Sequence, residues 1–180
     1  MTWKAFHNRG ETLRSVIAAA AVRRDGILPM DVPGVSERFQ DELDLLGALQ
    51  LKWHTRLAGH IESELSVQPL DLRASVTNGW ARTAKELPGV RMILDHYRTH
   101  PIDDAMAQAV SRSTAKEHQY LAVMAGRAGI GREEGQAVGR EIEEQARLTR
   151  PGTPAIDVDP LLDEAPRRPF IERLRAVVAA

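Results

Sequence analysis

Cysteine is absent from the 180 residues. That removes disulfides, thiolate nucleophiles, zinc ribbons and iron–sulfur ligation together. Long apolar runs are missing too, since no segment approaches the ~20 consecutive apolar residues of a membrane-spanning helix. The nearest thing to a leader, residues 16–22, is seven residues long and runs straight into Arg23-Arg24-Asp25 with no small-residue cleavage pattern. It reads as a short alanine-rich helix. Charge of one sign is also lacking: Lys plus Arg is 24 against 25 for Asp plus Glu, a formal net charge of −1. A protein that binds nucleic acid by neutralising phosphates shows a basic excess, so this balance argues against a nucleic-acid-associated regulator. Aromatic residues make up only 4%. Trp53 and Trp80 sit on amphipathic patterns and read as core anchors rather than platforms for stacked bases.

What is present suits a folded chain. Hydrophobic residues at 43% and charged residues at 27% supply a core and exclude wholesale disorder. Arginine outnumbers lysine 20 to 4 and alanine is abundant, a bias that reads as a GC-rich bacterial genome. The same bias sets the expected location, the cytoplasm. Proline divides the chain. Pro151, Pro154, Pro160, Pro166 and Pro169 crowd into nineteen residues, which marks an extended connector after a structured body. The expected organisation is an N-terminal helix and loop over 1–34, a helical bundle over 35–150, and a Pro-rich connector with an amphipathic tail helix over 151–180.

Periodicity is helical throughout, so the class is all-α, a bundle of four or five helices. Phe39, Leu43, Leu46, Trp53, Leu57 and Ile61 recur at threes and fours and predict a long helix over about 36–65, with Ser36 as its N-cap. A second long helix is predicted over about 101–127 from Ile102, Met106, Val110, Tyr120, Leu121 and Met124. Pro101 suits its first turn, and Asp103 and Asp104 suit the positive end of its dipole. Shorter helices are expected over 11–24, 71–87 (stopped by Pro88-Gly89), 90–99 and 132–148. The last has a thin apolar side and many glutamates, which predicts an outer position.

The residues that break these stripes carry the most information. At 100° per residue, Gln50 falls near the centre of the first long helix's apolar face, flanked by His54 and His60. Glu117 falls near the middle of the second stripe, with Ser113 one turn before it. If the two helices pack antiparallel, Gln50–His54 and Ser113–Glu117 reach similar heights. A buried carboxylate must meet a cation, several donors or a metal, or take a proton. One reading is a polar network that fixes helix register, with His54 or Arg56 as partner. A second is a metal or ligand site. A third places Glu117 on the solvent side.

Other chemistry is tested by spacing. Di-iron bundles need Glu-x-x-His on two helices, and no Glu here has a His three residues later. His96 and His100 stand at the interval that lets two imidazoles share one ion, with Asp103 and Asp104 close behind, but Tyr97 occupies the place of the zincin glutamate. The run Gly126–Gly129–Gly131 follows a helix, not a strand, and lacks the Lys-Ser/Thr of a phosphate loop. No Gly-x-Ser-x-Gly is present. In the tail, Phe170, Leu174, Val177 and Val178 share one helical side. Such a segment docks on its own body, on a second subunit or on another protein. The expectation is therefore a protein-interaction or scaffold module without catalytic activity, a homodimer or bound to a protein partner and needing no cofactor. The alternative is a bundle binding a divalent metal or small ligand through Glu117 and His54.

Overall fold

The computed structural model describes residues 3–127 and 131–149, with side chains from Asn8 onward. The connector and the tail stripe of Phe170, Leu174, Val177 and Val178 lie outside the described residues. Among the described residues there are seven helices and no strand, an all-α bundle: α1 Trp3–Arg23, α2 Val35–Arg38, α3 Glu42–Val67, α4 Leu72–Glu86, α5 Pro88–Thr99, α6 Asp104–Met124 and α7 Arg132–Leu148. No helix among them is long and apolar enough to cross a membrane.

Local chemistry moves several predicted boundaries. The helix expected from residue 36 is broken, because Phe39 adopts extended backbone and closes the single turn of α2. α3 starts afresh at Glu42, capped by Asp41, whose carboxylate accepts from the Asp44 N–H at 2.7 Å. Ser36 is therefore inside α2 and caps nothing. The same device starts α6: Asp103 accepts from the Met106 N–H at 2.7 Å, so Pro101 and Ile102 precede the helix and Ile102 is exposed. The expected start at residue 101 is corrected to 104. Its end follows a Schellman pattern, with Gly126 at φ 79 and bonds from the Arg127 and Gly126 N–H groups to the Ala122 and Val123 carbonyls. Pro88 does not merely stop a helix. It opens α5 at the position where its missing N–H costs nothing.

Packing explains the rest. α1 begins well before residue 11 and lays Val16 and Ala20 against α5, where Gly89 allows contact that a Cβ would block by landing on the Ala20 carbonyl. The core is built on Leu45, Leu49, Trp53, Leu57 and Ile61 of α3, Val76 and Trp80 of α4, Ile93 of α5, Leu121 of α6 and Ile142 of α7. α7 lies on the outside as expected, most of its residues exposed, but its inner face is docked closely. Gly135 and Gly139 bring its backbone onto Gln119 and the His118 carbonyl of α6, and Ile142, Glu143 and Ala146 are buried behind them. Close approach replaces the large apolar side chains that α7 lacks. Contacts from Arg56 to Glu86, His60 to Thr83, Trp80 to Glu117 and Leu72 to Gly126 make α4 antiparallel to both α3 and α6. α3 and α6 consequently run in the same sense, and the antiparallel packing considered from sequence does not occur.

Candidate functional site

Four helices converge on the carboxylate of Glu117, which is 5% exposed. α3 supplies two neighbouring residues: Trp53 donates its indole N–H to Oε2 at 3.1 Å, and His54 brings Nε2 to the same oxygen at 3.2 Å. From α4, Trp80 donates its indole N–H to Oε1 at 3.0 Å. From α5, the Arg91 guanidinium stands 3.5 Å from Oε1, over the faces of both indoles. The two indoles pack edge to face with centroids 5.5 Å apart. Each oxygen thus has two partners, one uncharged and one cationic or able to become so.

Burial pushes the Glu117 carboxyl upward, but the His54 bond, the Arg91 charge, the His54 charge and the Trp80 bond outweigh it. The group sits below the usual carboxylate range and is ionised at neutral pH. A carboxylate accepts only, so His54 must carry a proton on Nε2 to make this bond. The cation is Arg91 rather than Arg56, which pairs instead with Glu86 at the surface at 2.7 Å.

The network continues from Arg91. Its Nη2 meets Asp95 at 2.8 Å, and Asp95 accepts two bonds from Arg147 at 2.7 and 3.0 Å. Arg147 also reaches Glu143 at 2.6 Å, and Glu143 accepts from Arg98 at 3.0 Å and bonds His118 Nε2 at 2.7 Å. Burial pushes the Glu143 carboxyl up, and the His118 bond, Arg98 and Arg147 pull it far down. A continuous run of alternating charge therefore joins two buried carboxylates whose anchors, Glu117 and His118, are adjacent on α6. Arg91, Asp95, Glu143 and Arg147 were not singled out from sequence. Their signal was present only as the spacings Arg91–Asp95 and Glu143–Arg147, each a common surface ion-pair interval on a helix.

Beside Glu117 a groove of about 510 Å³ opens between α3 and α6. Gln50, His54, Ser113 and Glu117, picked out because they break apolar stripes, all line it, together with Leu51, Ala58, Ala109, Arg112, Lys116 and Tyr120. His60 does not join them. It is buried toward α4, bonded through Nδ1 to Thr83 at 3.0 Å with Nε2 3.1 Å from Glu86, and burial holds its pKa down despite the Glu86 charge. The rings of His96 and His100 stack on one another with centroids 5.1 Å apart. Among the described residues no group of three or more His, Asp or Glu is placed to hold a metal ion, so Asp103 and Asp104 do not complete that pair. Each Glu117 oxygen already accepts from an indole N–H, so a metal ion would have to compete with those donors to bind there. Searches against protein-family models, curated proteins and solved structures give no match to this chain.

Proposed function

We propose that the protein is a helical bundle that binds a small organic ligand in the groove between α3 and α6. One observation carries this reading: four polar residues that interrupt the apolar faces of two separate helices line a single groove of ligand size. Gln50 and Ser113 are half-buried and make no side-chain hydrogen bond to another described residue, so their polar groups are open to a ligand entering the groove. His54 is anchored through Nε2 to Glu117, so the wall presents its imidazole and the Gln50 and Ser113 groups beside apolar surface. Trp53 and Trp80 touch the same carboxylate and make the site self-reporting.

The experiment is a thermal-shift and tryptophan-emission screen of small organic compounds against the full chain and against Ala109→Phe, which fills the groove. Compounds that raise the midpoint of the wild type and leave the variant unmoved are expected. A screen in which every stabilising compound acts equally on both proteins removes the groove as the site.

A protein-interaction role, as a homodimer or with another partner, is favoured by a separate observation. A second apolar depression of about 610 Å³ between α1 and α3 shares Gly47 and Leu51 with the groove, and Leu51 is 69% exposed. Light scattering across a hundredfold dilution tests it; a constant monomer mass removes the homodimer. A bacterial, cytoplasmic setting rests on composition alone.

A further inference from the structure

The groove's rim carries charge of one sign. Arg112 and Lys116 stand one turn apart on the groove side of α6, both exposed, and among the described residues neither has an acidic side chain within ion-pair distance. The arginines that tie the helices together are different: Arg9, Arg56, Arg82 and Arg147 each hold a carboxylate. Among the described residues the only acid lining the groove is Glu117, and its charge is matched from inside by Arg91. Two cations at i and i+4 place their stems about 6 Å apart, a span that a single carboxylate, sulfonate or phosphate group bridges. Below them the wall is apolar, formed by Leu51, Ala58 and Ala109.

We infer that the groove takes a small organic anion, an acidic head held between Arg112 and Lys116 with an apolar body of one or two rings over Leu51, Ala58 and Ala109. This inference rests on the ligand-binding reading above and adds the ligand's charge and shape. Head and body are recognised by different means. The rim attracts through charge and weakens with salt, whereas the apolar wall does not.

Two probes with a common ring body separate these contributions: 8-anilinonaphthalene-1-sulfonate, and N-phenyl-1-naphthylamine, which lacks the sulfonate. Each is titrated into the full chain, with probe emission and quenching of tryptophan as readouts. The sulfonate is expected to bind about tenfold more tightly at low salt, with the advantage shrinking in 0.5 M salt. R112Q/K116Q is expected to abolish that advantage and leave the uncharged probe unchanged. Ala109→Phe, or Ala58→Phe from the opposite wall, is expected to block both probes, with circular dichroism confirming the fold. Equal affinities for the two probes, both blocked by the wall variants, would overturn the anion inference and leave the groove standing. Binding that neither wall variant disturbs would overturn both readings. Probe affinity that weakens as protein concentration rises would assign the groove to a second copy of the chain and overturn the inference likewise.

Discussion

Glu117 and Glu143 are both carboxylates taken out of water, both bonded to a histidine and both held below the usual carboxylate range, yet they are stabilised by different means. Glu117 has two neutral indole donors, a half-buried His54 and one guanidinium, Arg91, whose side chain is only 7% exposed. Glu143 has a buried histidine and two arginines, Arg98 and Arg147, whose side chains are 29% and 38% exposed. The first centre spends aromatic rings to stay dry and opens on one side to a groove. The second is an ion cluster that seals α7 onto its neighbours. The physical consequence is that removing one negative charge leaves a buried cation with Asp95 alone in the first case and affects cations within reach of water in the second.

Glu117→Gln sets the upper end of the expected effects. It leaves Arg91, buried between two indoles, with the half-buried Asp95 as its one remaining carboxylate and takes the charged acceptor from two buried indole N–H groups, so the cost approaches that of a broken buried pair, about 3–5 kcal/mol. Urea denaturation monitored by circular dichroism measures it; a loss under about 1 kcal/mol, the scale of an exposed ion pair, would mean that the charge is not buried in solution. Glu143→Gln is expected to cost less, about 1–3 kcal/mol, the range for leaving buried donors unsatisfied, because Arg147 keeps Asp95 and Arg98 turns to water. Reversal of that order breaks the comparison.

Acid sharpens it. Both carboxyls have folded pKa values below the ordinary 4.5, so the unfolded chain takes up protons first and their stabilisation, complete above that value, is lost as pH falls through it toward the folded values. Each Gln variant is expected to flatten its own share of the loss between pH 5 and 3. His60 acts earlier. Burial holds its folded pKa below 6.5, so stability is full above 6.5 and begins to decline as pH drops past it. Stability profiles of wild type and His60→Gln are expected to diverge below pH 6.5; parallel curves would show that His60 takes its proton without unfolding cost.

His54→Gln is the smallest change. Its side chain is one-third exposed and its loss removes one bond to a carboxylate that keeps three other partners, so about 0.5–1.5 kcal/mol is expected. A loss above 3 kcal/mol in the same denaturation assay would make His54, not Arg91, the main partner of Glu117.

Helices were legible because their signals are local. The periodic apolar residues of α3 and α6 and the span of α7 from Arg132 to Leu148 follow from spacing alone. Boundaries slipped wherever two signals competed: Asp41 and Asp103 outdid Ser36 and Pro101 as starts, since an aspartate oxygen within reach of an N–H three residues on satisfies a donor that the alternatives leave open. The outer position of α7 was legible but its close docking was not, because apolar side chains stand in for burial in any sequence pattern, whereas α7 docks through Gly135 and Gly139, whose contribution is the absence of a side chain.

By itself the sequence determined the all-α class and singled out Gln50, His54, Ser113 and Glu117 as residues on the wrong face. Polarity and a 3.6-residue period suffice for that. Only the tertiary structure decided that these four share one groove, that His60 turns away from it, and that α3 and α6 run in the same sense. It also chose Arg91 over Arg56 as the cation. Both arginines lie on helices that pass near Glu117, and their difference is burial, which no single helix contains. Arg56 finds Glu86 at the surface, while Arg91 is enclosed by two indoles contributed from α3 and α4. Charge partners are chosen by which water the fold excludes, and that is fixed only when the helices meet.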